Sequence, residues 1–451
     1  MLPEKLLASL EGIKGFNKES FVNVHASGEQ ITSIRFNPFK LSESSQVLPL
    51  GEDLGRAVPW TKYGYYLPKR PSFTFDPLFH AGCYYVQEAS SMFLEHALKQ
   101  TVDLSQPLKV LDLSAAPGGK STHIQSLISK ESLLVSNEVI RSRANILKDN
   151  IIKWGCNNVI VTNNDPRDFT RLENYFDVIV VDAPCSGSGL FRRDEGAIGE
   201  WSENNVQLCS QRQQRILADA WPALKKGGIL IYSTCSYSKE EDEEIVEWMN
   251  DELIINNEEL IIEKDWGITE TDYGYRFWPD KVKGEGFFIA CLRKLRGEDR
   301  SYFKTKNKIE LVSQKEKVKI QHWVKQEEFE FVKHENTVYA WPKGLVTDFN
   351  ILLTNLRVLY SGTLVGELMR DKLIPGHALA MSTLINENIP KLELSYQQAI
   401  EYLQKKDLQI GVKNTGWQLV TYKDYPLGWI NVLPNRINNY YPKELRILKE
   451  S

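Results

Sequence analysis

The apolar pattern of the chain changes at about residue 100 and again at about 297. Between those points, short β-branched runs at 108–113, 133–136, 159–162, 176–181 and 229–232 alternate with helical patterns near 119–129, 141–154 and 203–225. Such alternation predicts a parallel sheet with helices on both faces, an α/β architecture of Rossmann-like type. The run 176–181 is apolar without a break, as a strand covered on both faces requires. In 203–225, Ile216, Leu217, Ala220, Trp221 and Leu224 fall on one helical face, and Gly227-Gly228 predicts the stop. Ser238-Lys239-Glu240-Glu241 reads as a capping box that opens an acidic helix. Residues 287–292, after the turn Gly284-Glu285-Gly286, read as a hairpin adding an antiparallel edge.

The flanks follow other patterns. Residues 1–16 read as a short amphipathic helix, and 21–24 and 31–36 as strands around a turn at Ser27-Gly28. From Trp60 to Phe79 the chain is rich in aromatics and proline. That segment either covers the core or, beside Lys62, Lys69 and Arg70, offers a stacking surface for unpaired bases. A helix follows Gln87. Beyond 297, Lys304, Lys306, Lys308, Lys315, Lys317 and Lys319 form a lysine-dense stretch, read as a solvated linker or a phosphate-contacting arm. The remainder is small α+β, with period-two strands and turns at Lys423-Asp424 and Leu433-Pro434-Asn435. The expected division is 1–100, 101–296, 297–385 and 386–451.

Composition narrows the class. No apolar run approaches the roughly 18 residues that span a bilayer, and no signal peptide is evident, so no membrane partner is expected. The six cysteines are dispersed, without a CxxC pair, which suits a reducing cytoplasm and argues against a disulfide framework. The seven histidines are scattered too, and no metal site is expected. A net charge of −4 means that any nucleic-acid surface must be local.

The chemistry gathers at strand ends. The first strand runs into Ser114, Ala115, Ala116, Pro117, Gly118, Gly119 and Lys120, a small-residue turn that lets a ligand approach backbone and helix N-terminus. It is not a P-loop, since Ser114 stands where that motif needs glycine, and GxGxxG is absent. Glu138 ends the second strand, where carboxylates bind ribose hydroxyls in this fold class. Asp165 follows the third and is placed to accept from an adenine amine, and Asp182 ends the fourth. Each acid alone is an ordinary loop residue. Together they describe a pocket for a nucleoside without phosphate, which S-adenosylmethionine satisfies. Past Asp182 come Pro184, Cys185, Gly187 and Gly189, and a second thiol, Cys235, ends the fifth strand. Cys83, Cys156, Cys209 and Cys291 are read as buried fillers.

The segments DLSAAPGGKST, SNEVIRSR, NNDPRDF, DAPCSGSGLFRRD and STCSYSKEEDE, in this order, resemble the motifs of the Sun-type RNA cytosine-5 methyltransferases over roughly residues 20–296. RFWPDKVKGEGFFIA resembles that family's closing motif. IPGHALA, PLGWINV and NNYYPKELR resemble the C-terminal region of bacterial RsmF-like enzymes, which modify small-subunit ribosomal RNA, and its end resembles their PUA-like RNA-binding module. The family often has cysteine where Ser114 stands. The resemblance implies a class I S-adenosylmethionine-dependent methyltransferase core at 101–296, with an N-terminal covering or RNA-binding domain, a linker module and a PUA-like end. It implies methylation of carbon 5 of cytosine in ribosomal RNA, by a cytoplasmic monomer, free or on the small subunit. By the same resemblance Cys235 is the nucleophile and Cys185 assists proton removal or adduct release. Asp182 would hold the cytosine edge, and Lys120 would lower the thiol pKa or contact the base. Arg192 and Arg193 are candidates for phosphate contacts. Transfer RNA is the rival substrate, and a non-catalytic ribosome-assembly factor is the rival class. The retained thiols and Asp182 speak against the latter.

Overall fold

The protein is described from a computed structural model covering residues 2–41, 55–253, 255–297, 303, 305–306, 309–325, 329–370, 372–408, 410–411 and 414–449. Its centre is a mixed sheet. Five parallel strands, β1 (Lys109–Asp112), β2 (Leu133–Asn137), β3 (Val159–Thr162), β4 (Phe176–Asp182) and β5 (Leu224–Thr234), match the predicted runs. Hairpin strands β6 (Tyr275–Phe277) and β7 (Phe287–Lys294) follow, and the order across the sheet is β6-β7-β5-β4-β1-β2-β3. The 287–292 run is therefore not an edge, because β6 pairs on its outer side. The chain winds outward from β1 through β2 and β3, then returns to lay β4 on the other flank of β1. The crevice at the carboxyl ends of β1 and β4 is thus the topological switch point, where open α/β sheets bind ligands.

Alternation along β4 explains its unbroken apolar sequence. Val178 and Val180 enter the core on one face, and Ile179 and Val181 the core on the other. The helices that cover these faces include α1 (Gly119–Gln125), α2 (Arg141–Trp154), α3 (Glu203–Ala220) and α4 (Glu243–Glu252). Helix α3 ends at Ala220, before the predicted stop, because Pro222 lacks an N–H and opens a 3-10 turn at Trp221–Ala223. Gly227, at φ 76°, instead bends the start of β5.

Two other expectations give way to packing. Residues 21–24 are helical, within Lys18–Ala26, where the Asn17 side chain accepts from the Ser20 N–H. Phe21 is buried edge-on against Tyr237 and Trp278, so tertiary contacts override its strand propensity. Ser238 makes no cap, and α4 begins only at Glu243. The aromatic segment packs inward: Trp60, Tyr66 and Phe73 are buried, and the Trp60 indole donates to the Ala89 carbonyl at 2.8 Å.

A three-stranded sheet (Thr32–Phe36 between Gly64–Leu67 and Tyr84–Val86) precedes the central one. A five-stranded and a four-stranded sheet follow it. Strand β8 (Val358–Ser361), from the segment past 297, pairs antiparallel with β3 and extends the central sheet. The two ends of the chain share one core, in which Ile34, Phe36 and Tyr84 pack with Ile400, Leu427 and Ile430. The last sheet has its predicted turn at Lys423-Asp424, both with positive φ. In the lysine-dense stretch, Lys304 and Lys308 lie outside the described residues, while Lys317 pairs with Glu330 and Lys319 donates to the Arg370 carbonyl. Among the described residues no helix is long and apolar enough to cross a membrane.

Candidate active site

Strands β4 and β5 are parallel neighbours, with Asp182 opposite Ser233. The loops that leave them therefore run side by side, and Cys185 and Cys235 meet with their sulfurs 2.9 Å apart. That is beyond the roughly 2.05 Å bond of a disulfide. Both thiols are partly exposed. The hydrogen bond to Cys235, and then burial, push the Cys185 thiol well above the ordinary cysteine value. Asp182 accepts from the Ser233 hydroxyl at 2.9 Å and pairs with the Lys120 ammonium at 2.8 Å. Burial opposes the Lys120 charge, but Asp182, Asp112 and the Cys235 sulfur together hold its pKa above the ordinary lysine value. Four residues predicted separately thus form one cluster.

The turn after β1 is held from two sides. Ala115 donates its N–H to the Asn137 carbonyl at 2.8 Å, and Arg143 and Asn150 of α2 donate to the Ala116 and Pro117 carbonyls, each at 2.8 Å. Ser114 is half-buried in this turn. Gly118 takes φ 117°, which side chains resist, and a Cβ there would meet Leu147 at 3.3 Å. Gly119 opens α1. Asp112, at the end of β1, is wholly buried: Oδ2 accepts from Ser121 at 2.6 Å, while Oδ1 has no partner. Burial, relieved in part by Ser121, pushes its carboxyl up to about 7. Glu138 is buried at the end of β2, one oxygen accepting from the Ile140 N–H and the other 3.7 Å from Arg143. Asp165 is half-exposed past β3, accepts from the Arg167 N–H at 3.2 Å and stands 3.6 Å from Arg215. Acids at four neighbouring strand ends repel a phosphate and suit hydroxyls, amines and a sulfonium. With the unpartnered Asp112 oxygen beneath a tight turn, this donor set fits S-adenosylmethionine.

Two residues have roles that the sequence reading missed. Glu241, read there as a helix cap, is fully buried and holds both thiol-bearing loops. Its carboxylate accepts from the Ser186 N–H (2.7 Å), the Ser186 hydroxyl (2.5 Å) and the Ser236 hydroxyl (2.6 Å). The serine-rich composition of CSGSG and TCSYS, whose buried hydroxyls require an acceptor, was the available sign. Gly189 locks the same loops: its N–H donates to the Cys235 carbonyl, and a Cβ would lie 2.7 Å from that oxygen and 2.6 Å from the Gly286 oxygen. Arg192 departs from expectation. Its guanidinium turns inward to the carbonyls of Gly284 (3.1 Å) and Glu29 (2.8 Å), leaving only Arg193 exposed for phosphates.

Comparisons with known proteins give the family and the fold. Residues 99–293 match the family model described as 16S rRNA methyltransferase RsmB/F, 2–89 that of the N-terminal domain of 16S rRNA methyltransferase RsmF, and 389–447 that of the methyltransferase RsmF PUA domain. The chain is 32% identical to ribosomal RNA small subunit methyltransferase F of Psychromonas ingrahamii, covering 92% of this chain and 90% of that one. To the protein of the same name from Cronobacter sakazakii it is 30% identical, over 92% and 89%. Among solved structures, a methyltransferase homologue from Pyrococcus horikoshii superposes with a TM-score of 0.53 at 28% identity, covering 65% of this chain and all (100%) of that one. NSun6 from the same organism, solved with SFG, shares the fold at 21% identity and a TM-score of 0.56, over 65% and 99%. Three consecutive family models and relatives aligned almost end to end place this chain in the family of ribosomal RNA small subunit methyltransferase F.

Proposed function

We propose that the protein methylates carbon 5 of a cytosine in small-subunit ribosomal RNA, through a covalent bond from Cys235 to carbon 6. The observation that carries this reading is the 2.9 Å approach of the Cys185 and Cys235 sulfurs beside the Lys120–Asp182 pair. Methyl transfer from S-adenosylmethionine to ribosomal RNA is what the family does; the atom methylated and the covalent route are our reading. The turn 114–119 would hold the cofactor, with Glu138 on ribose hydroxyls and Asp165 on the adenine amine. When bound, S-adenosylmethionine supplies an electrophilic methyl group.

Carbon 5 of an aromatic cytosine is a weak nucleophile. Addition of the Cys235 thiolate to carbon 6 makes carbon 5 enamine-like. The Lys120 ammonium, paired with Asp182 and within electrostatic reach of that sulfur, would offset the negative charge that the attacking thiolate brings to the ring. Asp182, fixed by Lys120 and Ser233, meets the polar edge of the ring. Cys185 keeps its proton at rest because its pKa is raised, and donates it towards the Cys235 sulfur. Once the adduct has formed, the Cys185 proton would pass to water; the resulting thiolate takes the carbon 5 proton and returns to the thiol as the carbon 6–sulfur bond breaks and Cys235 leaves as the thiolate.

The test is tritium transfer from methyl-labelled S-adenosylmethionine to ribosomal and transfer RNA from a deletion strain, followed by nucleoside analysis. We expect 5-methylcytidine in small-subunit RNA. Label in transfer RNA would overturn the substrate, and label on any other atom would overturn the chemistry.

A further inference from the structure

The six cysteines fall into two groups. Cys83, Cys209 and Cys291 are buried, and burial raises the thiol pKa of each, to about 12 for Cys83 and Cys291. Cys156 is half-buried and raised to about 12 by the same desolvation. Thiols held protonated in apolar surroundings are inert towards oxidants. Cys185 and Cys235 are partly exposed, within reach of a small solute. Among the described residues they alone bring sulfur to sulfur within hydrogen-bond distance, at 2.9 Å.

The fold holds this contact in place. The two thiols leave the ends of parallel neighbours β4 and β5, with Asp182 opposite Ser233. Glu241 accepts from Ser186 and Ser236, the residues that follow the two cysteines, and the Gly189 N–H donates to the Cys235 carbonyl. The sulfurs have about 0.9 Å to close, from 2.9 Å to the roughly 2.05 Å of a disulfide bond. Gly187 gives the Cys185 loop room to do so: it stands at φ 76°, with nothing within 4 Å of where a Cβ would lie. Two sulfurs so placed react with each other as an intramolecular pair, at high effective concentration.

We propose that Cys185 and Cys235 form a reversible oxidation site, which a hydroperoxide closes to an intramolecular disulfide and a thiol reductant reopens. The Cys235 thiolate attacks one peroxide oxygen and the O–O bond breaks. Cys235 is oxidised to the sulfenic acid, and the proton released when the thiolate formed ends on the departing oxygen as alcohol or, from hydrogen peroxide, water. The Cys185 sulfur then bonds to the Cys235 sulfur, the S–O bond breaks, and the Cys185 proton leaves with the hydroxide as water. Two thiols and one hydroperoxide thus give one disulfide, one water and one alcohol or second water. The bond occupies the sulfur that must add to carbon 6, so methylation stops, and it keeps Cys235 from irreversible oxidation. The loss of methylation rests on Cys235 being the nucleophile of the proposed reaction; the linkage rests on the thiol geometry alone.

The experiment treats the reduced, full-length protein with a few equivalents of hydrogen peroxide, unfolds and alkylates it, and maps its peptides without reduction. The expected product has lost two hydrogens and carries one linkage, Cys185 to Cys235, with the other four cysteines alkylated. Methylation should fall in step with the linked fraction and return on treatment with dithiothreitol. Binding of S-adenosylhomocysteine should be unchanged, because the 114–119 turn is anchored by β2 and α2. In Cys185→Ser, Cys235 should take up oxygen to the sulfinic acid, which dithiothreitol does not reverse. Peroxide that leaves both thiols free, links other cysteines instead, or gives a linkage that dithiothreitol fails to reopen overturns the proposal, and these outcomes are read on the wild-type protein alone. A linked protein that methylates at the full rate would leave the oxidation site standing and overturn Cys235 as the nucleophile. Free thiols with methylation intact would do the reverse.

Discussion

Replacing Glu241 by alanine removes the one carboxylate that ties the two thiol loops together. Three short hydrogen bonds are lost, from the Ser186 N–H and from the Ser186 and Ser236 hydroxyls. The hydroxyls can turn towards each other, since their oxygens lie 3.4 Å apart, but the buried Ser186 N–H has no substitute. One stranded donor plus the charged bonds gives a loss of about 3 kcal/mol, which the large sheet core tolerates. The greater effect is on geometry. The Cys185 and Cys235 sulfurs meet only because their loops are in register, and a displacement of about 1 Å lowers a rate roughly a hundredfold. Cofactor affinity should hold, since the 114–119 turn is anchored by β2 and α2 rather than by Glu241. The assay is steady-state methylation beside calorimetric titration with S-adenosylhomocysteine. A kcat within threefold of wild type would refute the clamp. Equal losses of kcat and cofactor affinity would show general unfolding instead.

Three further outcomes follow from the same geometry. Cys185→Ala should accumulate a protein–RNA adduct, visible as a retarded band on a denaturing gel, because release is impaired; a gel without that band contradicts its role. Gly189→Ala forces its Cβ against two carbonyl oxygens, so turnover should fall about a hundredfold with cofactor binding retained; near-normal turnover would show that the loops have room to move. Asp112 is raised to about 7 in the fold, so the folded state holds a proton that the unfolded chain releases near pH 4. Its contribution is fully present below pH 4 and is lost as pH rises towards 7, and Asp112→Asn should flatten that decline by up to about 4 kcal/mol. Parallel stability curves for the two proteins would show that Asp112 does not titrate in this range.

The parallel core was legible because its strands are buried on both faces and its helices on one, so apolar period and burial coincide. Val178 to Val181 show this most plainly. The strand-end acids and thiols were legible for a related reason, as polar residues placed directly after apolar runs. What escaped was set by contacts distant in sequence. Phe21 lies in a helix because Tyr237 and Trp278 are there to receive it. Glu241 sits in an acidic run whose local pattern is that of a cap, and only the fold brings Ser186 and Ser236 to it. Arg192 and Arg193 are adjacent and alike in sequence, yet one is turned inward by two carbonyls and the other is left exposed.

The decisive measurement is peptide mapping of the complex between the wild-type protein and RNA carrying 5-fluorocytidine at the target position, where fluorine replaces the proton that must leave. With S-adenosylmethionine present, a stable adduct should form, carry the methyl group, and map to Cys235. Cys235→Ala should form none and lose turnover by as much as a millionfold. An adduct at Cys185, or substantial methylation by Cys235→Ala, would contradict the assignment of the nucleophile and with it the order of the proposed steps.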